Sequence, residues 1–218
     1  MSPVRVKVCC IASPDEAQLA IAAGASALGL VSAMPSGPGP IAEELIARIA
    51  ATIPPGVTSV LLTKLCAADA IVAQHRRCRT NALQLVDTVP FDELARLRAA
   101  LSGIGIIQVI HVRGAEAIEE ARALADSGLV DALLLDSGNP TAAVPELGGT
   151  GRVHDWAISR RLVESVAPVP VYLAGGLTPA NAGEAVRAVR PFGLDVCSGL
   201  RTLGQLDPTK LEAFFNAL

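Results

Sequence analysis

A few side chains near the start of the chain and in its second half have the types and spacing for proton transfer. From Arg5 to Cys10, polar and apolar side chains alternate, so an extended backbone sends Val6, Val8 and Cys10 to one face and Arg5, Lys7 and Cys9 to the other. In a parallel barrel the outer face of a strand packs under helices, which turns the polar set inward. Cys9 then stands at the C-terminal rim with Lys7 one step below it. A neighbouring cation favours the thiolate, and a thiolate can serve as a general base. The competing reading of Cys9 is a small buried hydrophobe, which is also the reading for Cys10, Cys66 and Cys78. Asp136 ends the apolar run from Ala132 to Leu135, where a carboxylate is costly unless it meets a polar site or a partner. It reads as an acid of the site or as a loop cap or lysine partner. Asp195 sits deeper from its rim and reads as a partner for Lys7 or Arg5.

Glycines cluster late, in Gly148, Gly149, Thr150 and Gly151, then Gly175 and Gly176, then Ser198 and Gly199. Glycine lets main-chain N–H groups approach an anion closely, and the loops after the last strands of a barrel are a recurrent phosphate site. Three such loops in succession predict a phosphate cradle, with tight turns as the plain alternative.

Positioning these residues takes a repeating unit. Short β-branched or leucine-rich runs at 5–11, 27–31, 58–62, 82–86, 104–111, 132–136, 169–173 and 194–197 predict strands. Alanine-rich runs at 14–23, 42–52, 67–77, 91–101, 115–127, 156–165, 180–189 and 208–217 predict helices, one after each strand. The 218 residues allow about 27 per strand-helix pair, the size of a βα unit with short connections. Eight such units predict one closed (βα)8 TIM barrel over 1–218, an α/β fold of a single domain with no exposed sheet edge. The irregular loop at 32–40, with three prolines and two glycines, is expected at the face where barrels build their sites.

Composition narrows the function. Hydrophobic residues make up 51% and charged residues 18%, which excludes a mainly disordered chain. A net charge of −3 and 3% aromatics leave no footprint for nucleic acid. No run approaches the roughly 20 apolar residues of a membrane span. The first residues do not form a secretory leader, so a cytoplasmic location is expected. Five cysteines without a CxxC spacing and three histidines suggest neither a disulfide framework nor a metal site.

The motifs K-V-C at the N-terminus, L-L-L-D-S, G-G-T-G-R followed by D-W, L-A-G-G-L-T-P-A-N and R-P-F-G-L-D-V-C-S-G occur in order between Val6 and Lys210. In this the chain resembles the phosphoribosylanthranilate isomerase family. The resemblance implies a tryptophan-pathway barrel that converts N-(5-phosphoribosyl)anthranilate to 1-(2-carboxyphenylamino)-1-deoxyribulose 5-phosphate by an Amadori rearrangement, without metal or organic cofactor. It implies Cys9 as general base and Asp136 as general acid, and a phosphorylated aminosugar as the small-molecule partner. Gly149, Thr150, Gly151, Gly175, Gly176, Ser198 and Gly199 would hold its phosphate, with Lys7 and Asp195 in support.

Departures from the family pattern lie mostly in the first half. The family's K-x-C-G reads Lys7, Val8, Cys9, Cys10 here, and Q-L-H-G reads Gln84, Leu85, Val86, Asp87. The S-P-R after the second strand, whose arginine is associated with the anthranilate carboxylate, reads Ser36, Gly37, Pro38, Gly39, Pro40. S-G-V-E after the eighth strand becomes Ser198, Gly199, Leu200, Arg201, which makes Arg201 the candidate replacement cation or else a surface residue. The alternative function is a divergent paralogue that binds or isomerises another phosphorylated sugar.

Overall fold

The computed structural model describes residues 4–138 and 155–218. Its strands are β1 (Arg5–Val8), β2 (Ala27–Val31), β3 (Thr58–Thr63), β4 (Ala82–Leu85), β5 (Gly105–His111), β6 (Ala132–Asp136), β7 (Val171–Leu173) and β8 (Gly193–Val196). All pair in parallel in chain order, and β1 also pairs with β8, which closes the barrel with Lys7 opposite Asp195. The helices that follow them are α1 (Pro14–Ala22), α2 (Glu43–Ala50), α3 (Ala68–Cys78), α4 (Phe91–Ala100), α5 (Glu116–Ser127), α6 (Trp156–Ser165), α7 (Ala182–Val189) and α8 (Pro208–Asn216). The expected (βα)8 architecture is therefore present. A 3-10 turn at Ser198–Leu200 and a hairpin of β9 (Arg201–Thr202) and β10 (Gln205–Leu206) precede α8.

Local chemistry explains the helix starts. Ser13 accepts the N–H of Glu16 at 3.1 Å, Glu16 reaches back to the N–H of Ala12 at 2.9 Å, and Pro14 fits the first turn, where no N–H is needed. Asp155 caps α6 and Asp207 caps α8 in the same way.

Alternation along the strands divides the core into two layers. Leu28, Leu30, Leu61, Leu83, Leu133 and their neighbours pack outward under the helices. Ala27, Val60, Ala82, Ile107, Val109, Ala132 and Leu134 fill the interior. The small side chain of Ala27 opposite Lys7, with Gly29 on the same strand, leaves space for the fully buried Lys7.

One boundary differs in a way that matters. The first strand was expected to run to position 11, with Cys10 under the helices beside Val6 and Val8. It ends at Val8, because Cys10 adopts φ 64, a left-handed conformation that breaks the two-residue alternation. Ile11 then takes the outward place and is completely buried.

Candidate active site

The C-terminal ends of the strands open into a cleft. Cys9 lines it from the end of β1, Asp136 from β6, and Asp195 from β8. Gly175 and Gly176 border it after β7, and Ser198 after β8. The loop between β2 and α2 contributes Met34, Ser36, Gly37 and Pro38, so the irregular segment lies at the expected face.

Beneath Cys9, the Lys7 Nζ stands 2.7 Å from Asp195 Oδ1, which is the partner expected for it. Burial pushes the Lys7 ammonium down, but the Asp195 carboxylate and then the Cys9 sulfur outweigh it and hold the group protonated above its ordinary value. A buried pair of this kind stands only because each charge answers the other. The Cys9 thiol lies below its ordinary value. Side-chain hydrogen bonding with Cys10 is the main cause; burial opposes it, and the Lys7 cation adds to it. Gly29 on β2 makes the arrangement possible, since a Cβ there would stand 2.7 Å from Cys9 Sγ.

Cys10 and Cys197 belong to the same cluster, and neither was singled out as a site residue from sequence. The Cys197 thiol donates to Cys10 Sγ at 2.7 Å, and the Cys10 thiol donates to the carbonyl of Pro38 at 3.6 Å. Contact with Cys197 and Cys9, together with burial, raises the Cys10 thiol well above its ordinary value. Cys197 had a readable signal, because residues 193, 195 and 197 alternate onto the inward face. Gln84 was also passed over. It lines the cleft from β4, is 4% exposed, and its Oε1 has no hydrogen-bond partner among the described residues.

Asp136 and the glycine loops are placed by turns. Asp136 closes β6, where its Oδ1 accepts the N–H of Ser137 at 2.7 Å. Gly175 at φ 85 and Gly176 at φ 62 are consecutive left-handed residues, a conformation that L side chains resist. Gly199 packs against the main chain of Leu177, so a Cβ there would collide with the Leu177 carbonyl. Gly149, Thr150 and Gly151 lie outside the described residues.

Arg201 corrects an expectation. Its guanidinium pairs with Glu16 at 3.0 and 3.1 Å and also donates to the carbonyls of Cys10 and Gly204. Only 8% of its side chain is exposed. The short hairpin from β9 to β10 holds it against the start of α1, so it is a buried strut and not a cation free for a substrate carboxylate. Among the described residues that line the cleft there is no arginine or lysine.

Comparison with known proteins agrees with this geometry. The family model for N-(5'-phosphoribosyl)anthranilate (PRA) isomerase matches residues 6–217. An N-(5'-phosphoribosyl)anthranilate isomerase of Methanocella arvoryzae is 36% identical over 196 residues, covering 90% of this chain and 88% of that protein. The crystal structure of the Thermus thermophilus phosphoribosyl anthranilate isomerase is 30% identical, with a TM-score of 0.82 and 98% of each chain covered. A further phosphoribosyl anthranilate isomerase, solved in complex with reduced 1-(o-carboxyphenylamino)-1-deoxyribulose 5-phosphate, is 25% identical with a TM-score of 0.81, covering 99% of this chain and 98% of that one. A family match over nearly the whole chain, on a barrel whose rim carries Cys9 and Asp136 in one cleft, means that this chain belongs to the N-(5'-phosphoribosyl)anthranilate isomerase family.

Proposed function

We propose that this chain isomerises N-(5-phosphoribosyl)anthranilate in tryptophan biosynthesis, with Asp136 as the acid and Cys9 as the base. The observation that carries this reading is their joint placement in one cleft bordered by the glycine loops after β7 and β8. Asp136 protonates the ribose ring oxygen, the C1–O bond breaks, and the anilino nitrogen lone pair forms an iminium at C1. The Cys9 thiolate then removes the proton from C2, and those electrons neutralise the iminium to give an enolamine. Tautomerisation yields the 2-ketone. C2 is oxidised and C1 reduced within one molecule, so this is an intramolecular oxidoreduction. Substrate and product are isomers and only protons move between groups, which is why the reaction needs no metal or organic cofactor.

The main-chain N–H groups around Gly175, Gly176, Ser198 and Gly199 hold the phosphate in this reading, as Gly149, Thr150 and Gly151 do from their loop. Binding energy gathered there orients the sugar between acid and base. Lys7 keeps Cys9 ionised, and Asp195 keeps Lys7 in place. Gln84 offers its unmatched Oε1 to a substrate hydroxyl or to the anilino N–H. The reading also places the enzyme in the cytoplasm, where its phosphorylated substrate is made. Among the described residues, no helix is long and apolar enough to cross a membrane.

Steady-state turnover of N-(5-phosphoribosyl)anthranilate by the purified protein is the direct test. Cys9→Ser and Asp136→Asn should each lower kcat by about 100-fold or more while KM stays within about threefold, because neither residue is asked to bind the phosphate. Near-normal turnover in either variant would remove that residue from its role. Failure of the parent protein to turn over the substrate would favour a different phosphorylated sugar.

A further inference from the structure

Three sulfurs meet at the mouth of the barrel, and the proposed reaction uses only one. Cys10 and Cys197 are far apart in sequence and are brought together by the pairing of β1 with β8, in which Val8 stands opposite Val196. Their Sγ atoms lie 2.7 Å apart. A disulfide bond is about 2.0 Å long, so closing the gap asks for side-chain rotation within an existing contact. Both residues line the cleft, Cys197 is only partly buried, and each is a free cysteine. Among the described residues, no group of histidine, cysteine, aspartate or glutamate has the geometry to hold a metal ion. Two free thiols in contact at a cleft are placed for oxidation to a disulfide.

We propose that Cys10 and Cys197 form a reversible oxidation site for hydroperoxides, and that the disulfide they make silences Cys9. The Cys197 thiolate attacks the terminal oxygen of the peroxide, the O–O bond breaks, and the leaving oxygen takes a proton. This yields a sulfenic acid on Cys197. The Cys10 sulfur then attacks that sulfenic sulfur, an S–S bond forms, and the hydroxyl departs with the Cys10 proton as water. With hydrogen peroxide, two thiols are oxidised by two electrons and the peroxide is reduced to two waters. An accessible cysteine next to a resolving one is the arrangement of thiol sensors, and transient disulfides are the kind that reducing compartments tolerate.

The effect on Cys9 follows from its contacts. Cys9 is the chain neighbour of Cys10 and lines the same cleft as both cysteines; once Cys10 is in a disulfide its thiol is gone, and the side-chain hydrogen bonding that mainly lowers the Cys9 thiol is lost while burial remains. Cys9 then holds less thiolate at neutral pH. This part rests on the proposed role of Cys9; formation of the disulfide does not.

The full-length protein, reduced and freed of reductant, is exposed to graded hydrogen peroxide. The expected result is loss of two of the five thiols, an intact mass lower by two hydrogens, and a cross-linked peptide joining Cys10 to Cys197. Turnover falls in step with the cross-link and returns with dithiothreitol. Cys197→Ser and Cys197→Ala lose the cross-link and need roughly tenfold more peroxide for half-inactivation, since only slower direct oxidation of Cys9 remains. Cys9→Ser keeps the cross-link, which separates this pair from any bond to Cys9. Inactivation without the cross-link, equal sensitivity in the Cys197 variants, or full turnover in the cross-linked protein would overturn the proposal. Failure of the catalytic reading shows separately, as normal turnover of unoxidised Cys9→Ser.

Discussion

Replacing Gly29 by alanine perturbs Cys9, the proposed base, without touching its chemistry. The added Cβ would lie 2.7 Å from Cys9 Sγ, 3.0 Å from Lys7 Nζ and 3.1 Å from Cys9 Cα. The two side-chain ends can turn away, but the Cα cannot. The backbone there is tied by the pairing of Val8 with Leu28 and by the Ile11 N–H to the Gly29 carbonyl at 3.0 Å. Relief must come from rotating Cys9 Sγ out of its place or from pushing Lys7 off Asp195. Overpacking of this sort costs about 1–3 kcal/mol. For a chain of this size, about 2–4 °C of Tm per kcal/mol makes the expected fall roughly 2–12 °C. A base displaced by about 1 Å costs about 100-fold in rate. Gly29→Ala should therefore fold, melt earlier and lose about 100-fold in kcat, while KM stays within about threefold because the anion loops lie on other strands. Thermal unfolding and steady-state kinetics on one preparation measure both. A variant that loses the stability but keeps turnover within about twofold of the parent would refute the claim that the contact positions the base.

Lys7→Met leaves the buried Asp195 carboxylate without its partner, which should cost about 3–5 kcal/mol in urea unfolding. In the same variant the Cys9 thiol rises, because the lowering cation is gone while Asp195 still opposes ionisation. In the proposed reaction Cys9 works as a thiolate, so the acid limb of the kcat/KM profile should move to higher pH, and an unmoved limb would deny Lys7 this role. Arg201→Ala should lower stability by about 1.5–3 kcal/mol and leave KM for the substrate unchanged, because the guanidinium braces Glu16 and faces no ligand. Burial alone would raise the Glu16 carboxyl, but Arg201 and the N–H groups of Leu206 and Ala12 outweigh it and hold the group below its ordinary value. Such a depressed carboxyl stabilises the fold above its unfolded pKa, and this contribution is lost as pH falls through the folded one. The stability gap between parent and Arg201→Ala should thus be full at neutral pH and shrink below about pH 4.5, and a gap that widens in acid would contradict the strut.

What could be read in advance follows the range of each interaction. Alternation is local, so the inward set Lys7, Cys9 and Asp195 was legible, and once β1 was expected to meet β8 the Lys7 to Asp195 pair followed. Asp136 was legible because a carboxylate ending an apolar strand needs a reason. Gly29 was silent, since its role exists only through the neighbouring strand that crowds it. Arg201 misled because the turn from β9 to β10 and the carboxylate of Glu16 lie in segments with no sequence link to one another.

Cys10 shows how two departures from the family pattern become one. The family places a glycine here, and the chain still bends through φ 64, so the backbone requirement persists while a side chain is added. A left-handed residue other than glycine costs about 1–2 kcal/mol. The added side chain also needs room, and it occupies the space beside Gly39: a Cβ on residue 39 would come within 2.6 Å of Cys10 Cβ. Gly39 lies in the loop where the family carries S-P-R, and Pro38 of that loop accepts the Cys10 thiol. A cysteine at position 10 thus requires a small residue at position 39, and the pairing of Cys10 with Cys197 gives the strained sulfur a partner across the barrel seam. The departures from the family pattern at position 10 and in the loop at 36–40 are therefore a single structural change, centred on a sulfur that also helps to lower the Cys9 thiol.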